Sequence, residues 1–298
     1  MEFYLNKIVT RNIFTMLKRK GKLLMRIFSI RQRILPLLVI ISFISVNVAL
    51  AAALPPQVDA EAAVLMVAGT NKMLLEKNAS GIMYPASTTK IMTLITAIEK
   101  GDPNSIVTVS TKASACDGSS LELSAGDKLT LRNAETGMML VSGNDAAEAI
   151  AEQVAGSIPA FVDMMNINAV NIGAKNTHFS NPHGLPDPAN HYTTAYDLAL
   201  IASYAMQNPD FVKIVSTREY DVNFINRNPS HVTNTNKLLK TYPGFNGIKT
   251  GYTDAAGDCL VAGANRKGVQ LIAVLLNDDY RWTDATKLLD YGFQQLGL

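Results

Sequence analysis

The sequence predicts an α/β (α+β) domain in which one antiparallel sheet is flanked by helices and a helical subdomain is inserted between its strands. Strand-like runs lie towards the two ends of the chain's folded part, at residues 62–76 and 259–276. Between them, residues 110–245 show mostly helical periodicity and loops. The simplest arrangement pairs the terminal strands in one sheet and leaves the intervening helices to form the subdomain.

The first elements are a β-hairpin and a helix. Runs at 62–67 and 72–76 flank the turn Ala68-Gly69-Thr70-Asn71, a composition typical of a hairpin. A helix is expected to begin near Ser87 and to end before Gly101. Its apolar residues recur at helical spacing and share one face: Ile91, Leu94, Ile95 and Ile98.

The remaining elements follow from the same patterns. Helices are predicted at 129–140, 146–155, 158–172 and 194–206, with a polar loop at 181–186. An edge strand is predicted at 247–253, strands at 259–264 and 269–276 around the turn 265–268, and a final helix at 284–295.

The N-terminus has the composition of a targeting segment. Basic residues precede an apolar run at 34–53, which ends in Ala49-Leu50-Ala51-Ala52-Ala53. This order predicts a secretory signal peptide over 1–53, cleaved after Ala51 or Ala53, with the true start possibly at Met25. An uncleaved membrane helix is the alternative, because about 20 apolar residues can span a bilayer. The mature domain is then 54–298, outside the cytoplasmic membrane.

Charge and cysteine content exclude some classes of protein. The net charge of +2 hides nine basic residues and one acid within 1–53, so the mature part has 18 basic and 24 acidic residues. Such an acidic domain is not typical of nucleic-acid binding. Cys116 and Cys259 form at most one disulfide, and the sequence favours two free thiols while leaving their pairing open.

Three short motifs carry the candidate chemistry. Ser87-Thr88-Thr89-Lys90, Ser142-Gly143-Asn144 and Lys249-Thr250-Gly251 occur in this order, 55 and 107 residues apart. Ser-x-x-Lys and Ser-x-Asn each arise by chance about once in a chain of this length, whereas Lys-Thr-Gly is rarer. Their combination therefore means more than any one of them.

Ser87 and Lys90 lie one helical turn apart, so the amine can reach the hydroxyl. A serine becomes a nucleophile when a neighbouring base takes its proton. The start of a helix adds free N–H groups that suit an oxyanion. The alternative is that Ser87 only caps the helix and Lys90 is solvated.

Lys249, Thr250 and Gly251 lie in the predicted edge strand. The lysine and the threonine offer a cation and a hydroxyl to a substrate carboxylate. A glycine in a strand allows a ligand to approach the backbone closely. An exposed strand end without function is the alternative.

The ordered motif set is typical of penicillin-binding proteins and β-lactamases. The chain resembles the low-molecular-mass D-alanyl-D-alanine carboxypeptidases from about Val58 to Phe293. The quoted motifs carry the resemblance, together with Asn181-Pro182-His183-Gly184-Leu185 and Tyr252-Thr253. It implies a β-lactamase/transpeptidase-like fold and a serine peptidase that removes the terminal D-alanine from peptidoglycan pentapeptide stems.

The resemblance also implies roles for single residues. Ser87 is the nucleophile, Lys90 is its proton acceptor, and Ser142 relays a proton. Asn144 holds the substrate amide, and Lys249 binds substrate.

The strand motif and a later arginine complete this implied site. Thr250 and Gly251 belong to the substrate-binding strand, and the backbone N–H groups of Ser87 and Tyr252 form the oxyanion hole. Arg281 stands where the family has a carboxylate-binding arginine. Many family members continue into a second domain and a membrane helix, so a chain ending at Leu298 leads us to expect a released protein.

Metal chemistry is not predicted. The four histidines, His178, His183, His191 and His231, come without a zinc-binding pattern, so we interpret them as loop-structuring. The run 219–223 resembles the deacylation loop of class A β-lactamases, but it lies too close to Lys249. We therefore expect slow release of penicillin and no efficient hydrolysis.

Several functions stay open at this point. The main hypothesis is a D,D-carboxypeptidase without cofactor, with peptidoglycan stem peptides as substrate and β-lactams as covalent inhibitors. The first alternative is a D,D-endopeptidase that cuts cross-links with the same residues. A β-lactamase and a non-catalytic β-lactam sensor are further alternatives. No nucleic acid or metal partner is expected. Contact with a membrane is expected only through the N-terminal segment, if that segment is not cleaved.

Overall fold

The structure, a computed structural model, describes residues 15–26 and 54–298. Residues 15–26 form a helix, α1. The predicted apolar run at 34–53 and its cleavage sites lie outside the described residues, so the signal peptide stays a prediction. Among the described residues, no helix combines the length and the apolar character needed to cross a membrane.

Residues 54–298 lie in one compact unit. Its first half contains β1 (Ala62–Val67), β2 (Lys72–Lys77), a 3₁₀ turn (Ala86–Thr89), α2 (Lys90–Lys100), β3 (Ile106–Thr108), α3 (Thr111–Ser114), β4 (Lys128–Thr130), α4 (Leu131–Val141), α5 (Asn144–Ala155) and α6 (Ile158–Ile172). Its second half contains α7 (Ala195–Ala205), α8 (Pro209–Val215), β5 (Glu219–Val222), β6 (Ser230–Thr233), α9 (Leu238–Thr241), β7 (Phe245–Thr253), β8 (Gly257–Arg266), β9 (Val269–Leu276) and α10 (Arg281–Gln295).

The main sheet has five antiparallel strands in the order β2-β1-β9-β8-β7. Strand β1 pairs with β9 from Ala62 opposite Leu276 to Val67 opposite Leu271. The N-terminal hairpin and the C-terminal strands therefore join at the centre of one sheet, which confirms the predicted α+β class. Strand β7, with the Lys-Thr-Gly motif, lies at one edge as predicted.

Helices cover both faces of this sheet. Successive residues of a strand point to opposite faces, so Val64 packs with the core around α2 and α7, and Leu65 packs with Phe293 of α10. A strand that is covered on both sides must be apolar throughout, which explains the run Ala62–Val67. Between β2 and β7 the chain forms the predicted helical subdomain.

The boundaries of several elements differ from the prediction for local reasons. Helix α4 begins at Leu131 because Leu129 belongs to β4 and the Thr130 hydroxyl caps the helix by accepting from the Asn133 N–H. The sequence prediction missed the short elements α3, α8, α9, β3, β4 and β6, which are too brief to show a period. Both Cys116 and Cys259 are free thiols.

Candidate active site

Ser87 lies in the 3₁₀ turn that leads into α2. Pro85 occupies the cap position of this turn and Thr89 that of α2, and neither position has a side-chain cap. The alternative that Ser87 is only a helix cap is therefore wrong. The preceding Ala86 has a left-handed φ of 46°, a strained conformation for alanine of the kind found where function demands it.

Lys90 is completely buried beside Ser87. Its Nζ lies 3.2 Å from Ser87 Oγ, 2.7 Å from Asn144 Oδ1 and 2.8 Å from the backbone oxygen of His183. The last two atoms only accept hydrogen bonds. A neutral amine has two N–H donors and one lone pair, so these acceptors take both donors and leave the lone pair for the Ser87 hydroxyl. The arrangement suits a general base.

The electrostatics agree with a neutral amine. Burial lowers the pKa of Lys90 well below its usual value, and the nearby positive charge of Lys249 lowers it further. Asp145 and Cys116 oppose the shift more weakly. A depressed pKa leaves more of the amine unprotonated at neutral pH, which is the form that can accept a proton.

Asn144 supports Lys90 from the start of α5. Its Oδ1 accepts from Lys90, its Nδ2 donates to the Asp117 backbone oxygen at 2.6 Å, and the residue is only 3% exposed. Both polar atoms of the side chain are thus engaged inside the protein. The structure places Asn144 as a support for the base, whereas the family resemblance implies that it holds the substrate amide.

Ser142 stands where α4 ends and α5 begins. It adopts a left-handed φ of 64° at the C-cap of α4 and lines the cleft opposite the edge strand. The next buried carboxylate, Asp145, accepts from the backbone N–H groups of Leu121 and Leu123 at 2.8 and 3.0 Å. These bonds tie the loop before Leu123 to α5 and define the Ser142 wall.

Strand β7 forms the opposite wall, but its lysine is hidden. Lys249 is 1% exposed, and its Nζ donates to the Thr250 backbone oxygen at 3.0 Å. Burial, with a smaller contribution from Arg281, lowers the pKa of Lys249 to about 7. The structure therefore places this amine behind the cleft wall, where it acts on Lys90 through its charge.

The rest of the motif faces the cleft. Thr250 lies in the wall, with Oγ1 3.0 Å from Thr235 Oγ1. A Cβ at Gly251 would lie 3.1 Å from the Ser87 nitrogen, so glycine allows β7 to approach the serine turn. This closeness agrees with an oxyanion hole from the N–H groups of Ser87 and Tyr252.

Arg281 is the first residue of α10 and reaches the cleft as expected. Its Nη1 donates to the backbone oxygens of Gly251 and Cys259 at 2.7 and 3.2 Å and pairs with Asp258 at 3.1 Å. These contacts fix the guanidinium against the edge strand.

These walls enclose a cleft of about 300 Å³. Lys90, Asn144 and Lys249 lie behind its surface. Five lining residues fall outside the sequence prediction, since no motif marks them: Ser119, Val141, Thr235, Lys237 and Trp282. Of these five, Trp282 could have been found from the sequence, because it is the chain's single tryptophan and directly follows Arg281.

His183 matters through its backbone and its loop. Gly184 has a φ of 97°, and a Cβ there would lie 1.9 Å from the Ala86 oxygen, so the loop touches the serine turn directly. The His183 ring packs against Glu148 with Nε2 3.5 Å from the carboxylate. His183 therefore structures this loop, and the loop in turn places the His183 backbone oxygen where it accepts a hydrogen bond from Lys90.

Cys116, Glu148 and His183 bring three potential metal ligands within 4.8 Å of one another. His183 Nδ1 accepts from the Leu185 N–H, so the ring proton resides on Nε2 and points to Glu148. Burial and the adjacent Glu148 raise the pKa of the Cys116 thiol to about 12. Glu148 thus lies beside both the thiol and the imidazole, and this cluster braces the His183 loop against α5.

No carboxylate lines the cleft within the part of the chain that the structure describes. Glu219 lies in β5, half-exposed, and pairs with Lys240 at 3.1 Å. This position agrees with the exclusion of a β-lactamase deacylation loop at 219–223.

Comparison with known proteins identifies the family. Residues 49–280 match the family model described as D-alanyl-D-alanine carboxypeptidase. The chain is 38% identical over 248 residues to D-alanyl-D-alanine carboxypeptidase DacF of Bacillus subtilis, covering 80% of this chain and 63% of that protein. It is 36% identical to the D-alanyl-D-alanine carboxypeptidase of Streptomyces sp. K15, covering 80% of this chain and 88% of the other.

Solved structures of similar proteins point to the same family. The Streptomyces K15 DD-transpeptidase superposes with a TM-score of 0.77 at 35% identity, over 81% of this chain and 99% of that one. The D-alanyl-D-alanine carboxypeptidase of Mycobacterium tuberculosis superposes with a TM-score of 0.77 at 30% identity, over 82% of this chain and 94% of that one. The three motifs meet around one cleft in the fold of these relatives, and the chain belongs to the D-alanyl-D-alanine carboxypeptidase family.

Proposed function

We propose that the protein is a serine D-alanyl-D-alanine carboxypeptidase that removes the terminal D-alanine from peptidoglycan pentapeptide stems. One observation carries the proposal: the buried Lys90 amine lies 3.2 Å from Ser87 Oγ and is held there by two groups that only accept hydrogen bonds. Such a pair activates a serine for attack on a carbonyl carbon, which purely non-covalent binding does not need. Peptidoglycan lies outside the cytoplasmic membrane, which agrees with the signal peptide predicted over 1–53.

The reaction has two steps. Ser87 Oγ bonds to the carbonyl carbon of the penultimate D-alanine while its proton passes to Lys90 Nζ. The C–N bond then breaks, and the departing D-alanine amine takes a proton, relayed by Ser142. Water next attacks the ester, which releases the shortened stem and restores the Ser87 hydroxyl.

Two groups assist the substrate in this scheme. The N–H groups of Ser87 and Tyr252 stabilise the negative oxygen of the tetrahedral intermediate. Thr250 and Arg281 receive the terminal carboxylate on the β7 wall. A β-lactam enters the same route, but its leaving group stays attached, and the absence of a carboxylate in the described cleft wall makes its release slow.

The test is covalent labelling at Ser87 together with D-alanine release. Fluorescent penicillin should add one adduct to the purified protein, absent from Ser87→Ala and retained by Ser119→Ala, which changes another serine of the same cleft. D-alanine should be released from a pentapeptide stem. Cleavage of a cross-linked dimer without release from the pentapeptide would establish the endopeptidase instead, and an adduct on Ser87→Ala would refute the nucleophile.

Lys249→Met should move the acid limb of the acylation-versus-pH profile to higher pH. Below about pH 7 Lys249 carries its charge and disfavours protonation of Lys90. Without that charge the pKa of Lys90 rises, so the neutral base appears only at higher pH. Acylation by an ester that lacks a carboxylate, measured across pH, separates this effect from substrate capture. An acid limb that stays in place or moves to lower pH would contradict the coupling.

A further inference from the structure

Lys237 is an exposed cation at the cleft for which the reaction scheme has no use. It precedes α9, lines the cleft, and carries its Nζ 5.7 Å from the centre of the Trp282 ring. Within residues 54–298, no carboxylate lies in ion-pair distance of its ammonium. We call these two side chains the Lys237–Trp282 rim.

The other cations around the cleft already have a role in the reaction scheme. Arg281 is bound to Asp258 and to two backbone oxygens. Lys90 and Lys249 are buried amines with lowered pKa values. Lys237 is therefore the exposed basic side chain of the described cleft to which the scheme assigns no ligand.

The backbone holds this charge in place. The neighbouring Thr235 bonds to both cleft walls, by its N–H to the Leu140 oxygen at 3.0 Å and by its hydroxyl to Thr250 at 3.0 Å. After Lys237 the chain is anchored by the buried Leu238 and Leu239. The side chain thus extends from a fixed point of the wall across the flat face of Trp282.

We propose that the Lys237–Trp282 rim selects substrates that carry a second free carboxylate, besides the one at the C-terminus. The inference rests on the proposed function and names its substrate class: dianionic stem peptides, preferred over the same peptides with that carboxylate amidated. A cation over an aromatic face matches a carboxylate next to an apolar segment, because the ammonium pairs with the charge while the ring covers the neighbouring carbons. The terminal carboxylate is bound separately, by Thr250 and Arg281.

The test compares two synthetic stem peptides that end in D-alanyl-D-alanine. One has a free α-carboxylate on a γ-linked D-glutamyl residue, and in the other this group is a carboxamide. The kcat/KM for D-alanine release should favour the carboxylate peptide by about two- to fivefold, the size expected for an exposed ion pair, and less at high salt. Lys237→Met should bring the ratio to about one, and Lys237→Arg should retain it.

Lys240→Met is the matched control. Lys240 lies in α9, the short helix that Lys237 precedes, is exposed and pairs with Glu219. Its removal changes the net charge by the same amount without touching the cleft. If the ratio of the two kcat/KM values falls equally in Lys240→Met and Lys237→Met, the preference arises from the overall charge of the protein, and the proposal is overturned.

A binding measurement separates this inference from the proposed function. Trp282 is the only tryptophan of the chain, so its fluorescence reports on the rim. In Ser87→Ala, titration with the carboxylate peptide should change the emission at lower concentration than titration with the amide. Equal titrations and equal D-alanine release from both peptides would overturn the inference while the carboxypeptidase stands. Selective titration without any D-alanine release would support the rim and overturn the proposed function.

Discussion

Replacing Lys90 by methionine is expected to reduce the rate of Ser87 acylation by about 10²- to 10⁴-fold, the contribution of a positioned general base. Methionine matches the length and apolar stem of the lysine, so it fills the same buried space. The loss then isolates the amine that lies 3.2 Å from Ser87 Oγ.

The measurement is the second-order rate of labelling by fluorescent penicillin across pH. Lys100→Met, at the exposed end of the same helix, serves as control and should acylate like the wild type. The substitution leaves Asn144 Oδ1 and the His183 oxygen without their donor, at a cost of about 1–3 kcal/mol each, so thermal unfolding must show that the variant is folded. Acylation of folded Lys90→Met at the wild-type rate would show that another group takes the proton.

Gly184→Ala is expected to lower acylation by about a hundredfold, although residue 184 touches no substrate. A Cβ there would lie 1.9 Å from the Ala86 oxygen and 3.0 Å from the Ser87 nitrogen. Both are backbone atoms, so the serine turn or the His183 loop must move. Displacing a reacting group by about 1 Å costs about 10² in rate.

Gly173→Ala is the control for backbone strain. Gly173 has a φ of 95°, close to the 97° of Gly184, yet a Cβ there meets no atom within 4 Å. Both variants bear the cost of alanine at positive φ, about 1–2 kcal/mol, and should lose stability. Only Gly184→Ala should lose acylation. Equal acylation rates in the two variants would mean that the His183 loop does not position Ser87.

The two predictions address one arrangement from opposite sides. Lys90 supplies the base, and the His183 loop both accepts a hydrogen bond from it and packs on the turn that carries the nucleophile. The Glu148 brace beneath this loop links it to α5, the same helix that begins with Asn144. The geometry of the base therefore depends on segments far apart in the chain.

Local pattern was enough to predict much of this protein. The Ser87–Lys90 spacing follows from helical geometry, so the contact between them could be expected from four residues. The short apolar run at 62–67, next to a turn, was enough to predict a hairpin strand, and the run at 269–276 was enough to predict a second strand. The stretch 247–253, which contains the Lys-Thr-Gly motif, was predicted as an edge strand and lies at one edge of the sheet.

Only the tertiary structure decided which side chains are buried, how their pKa values shift and which distant residues they contact. Lys249 looks like a substrate ligand in sequence, yet packing puts its amine behind the wall and lowers its pKa to about 7. Asn144 becomes a partner of Lys90, 54 residues away, and the His183 oxygen does so from 93 residues away. The Lys237–Trp282 rim joins two elements that no motif connects. Residue spacing along a helix or strand is dictated by backbone geometry, whereas desolvation and long-range contacts exist only once separate elements have packed together.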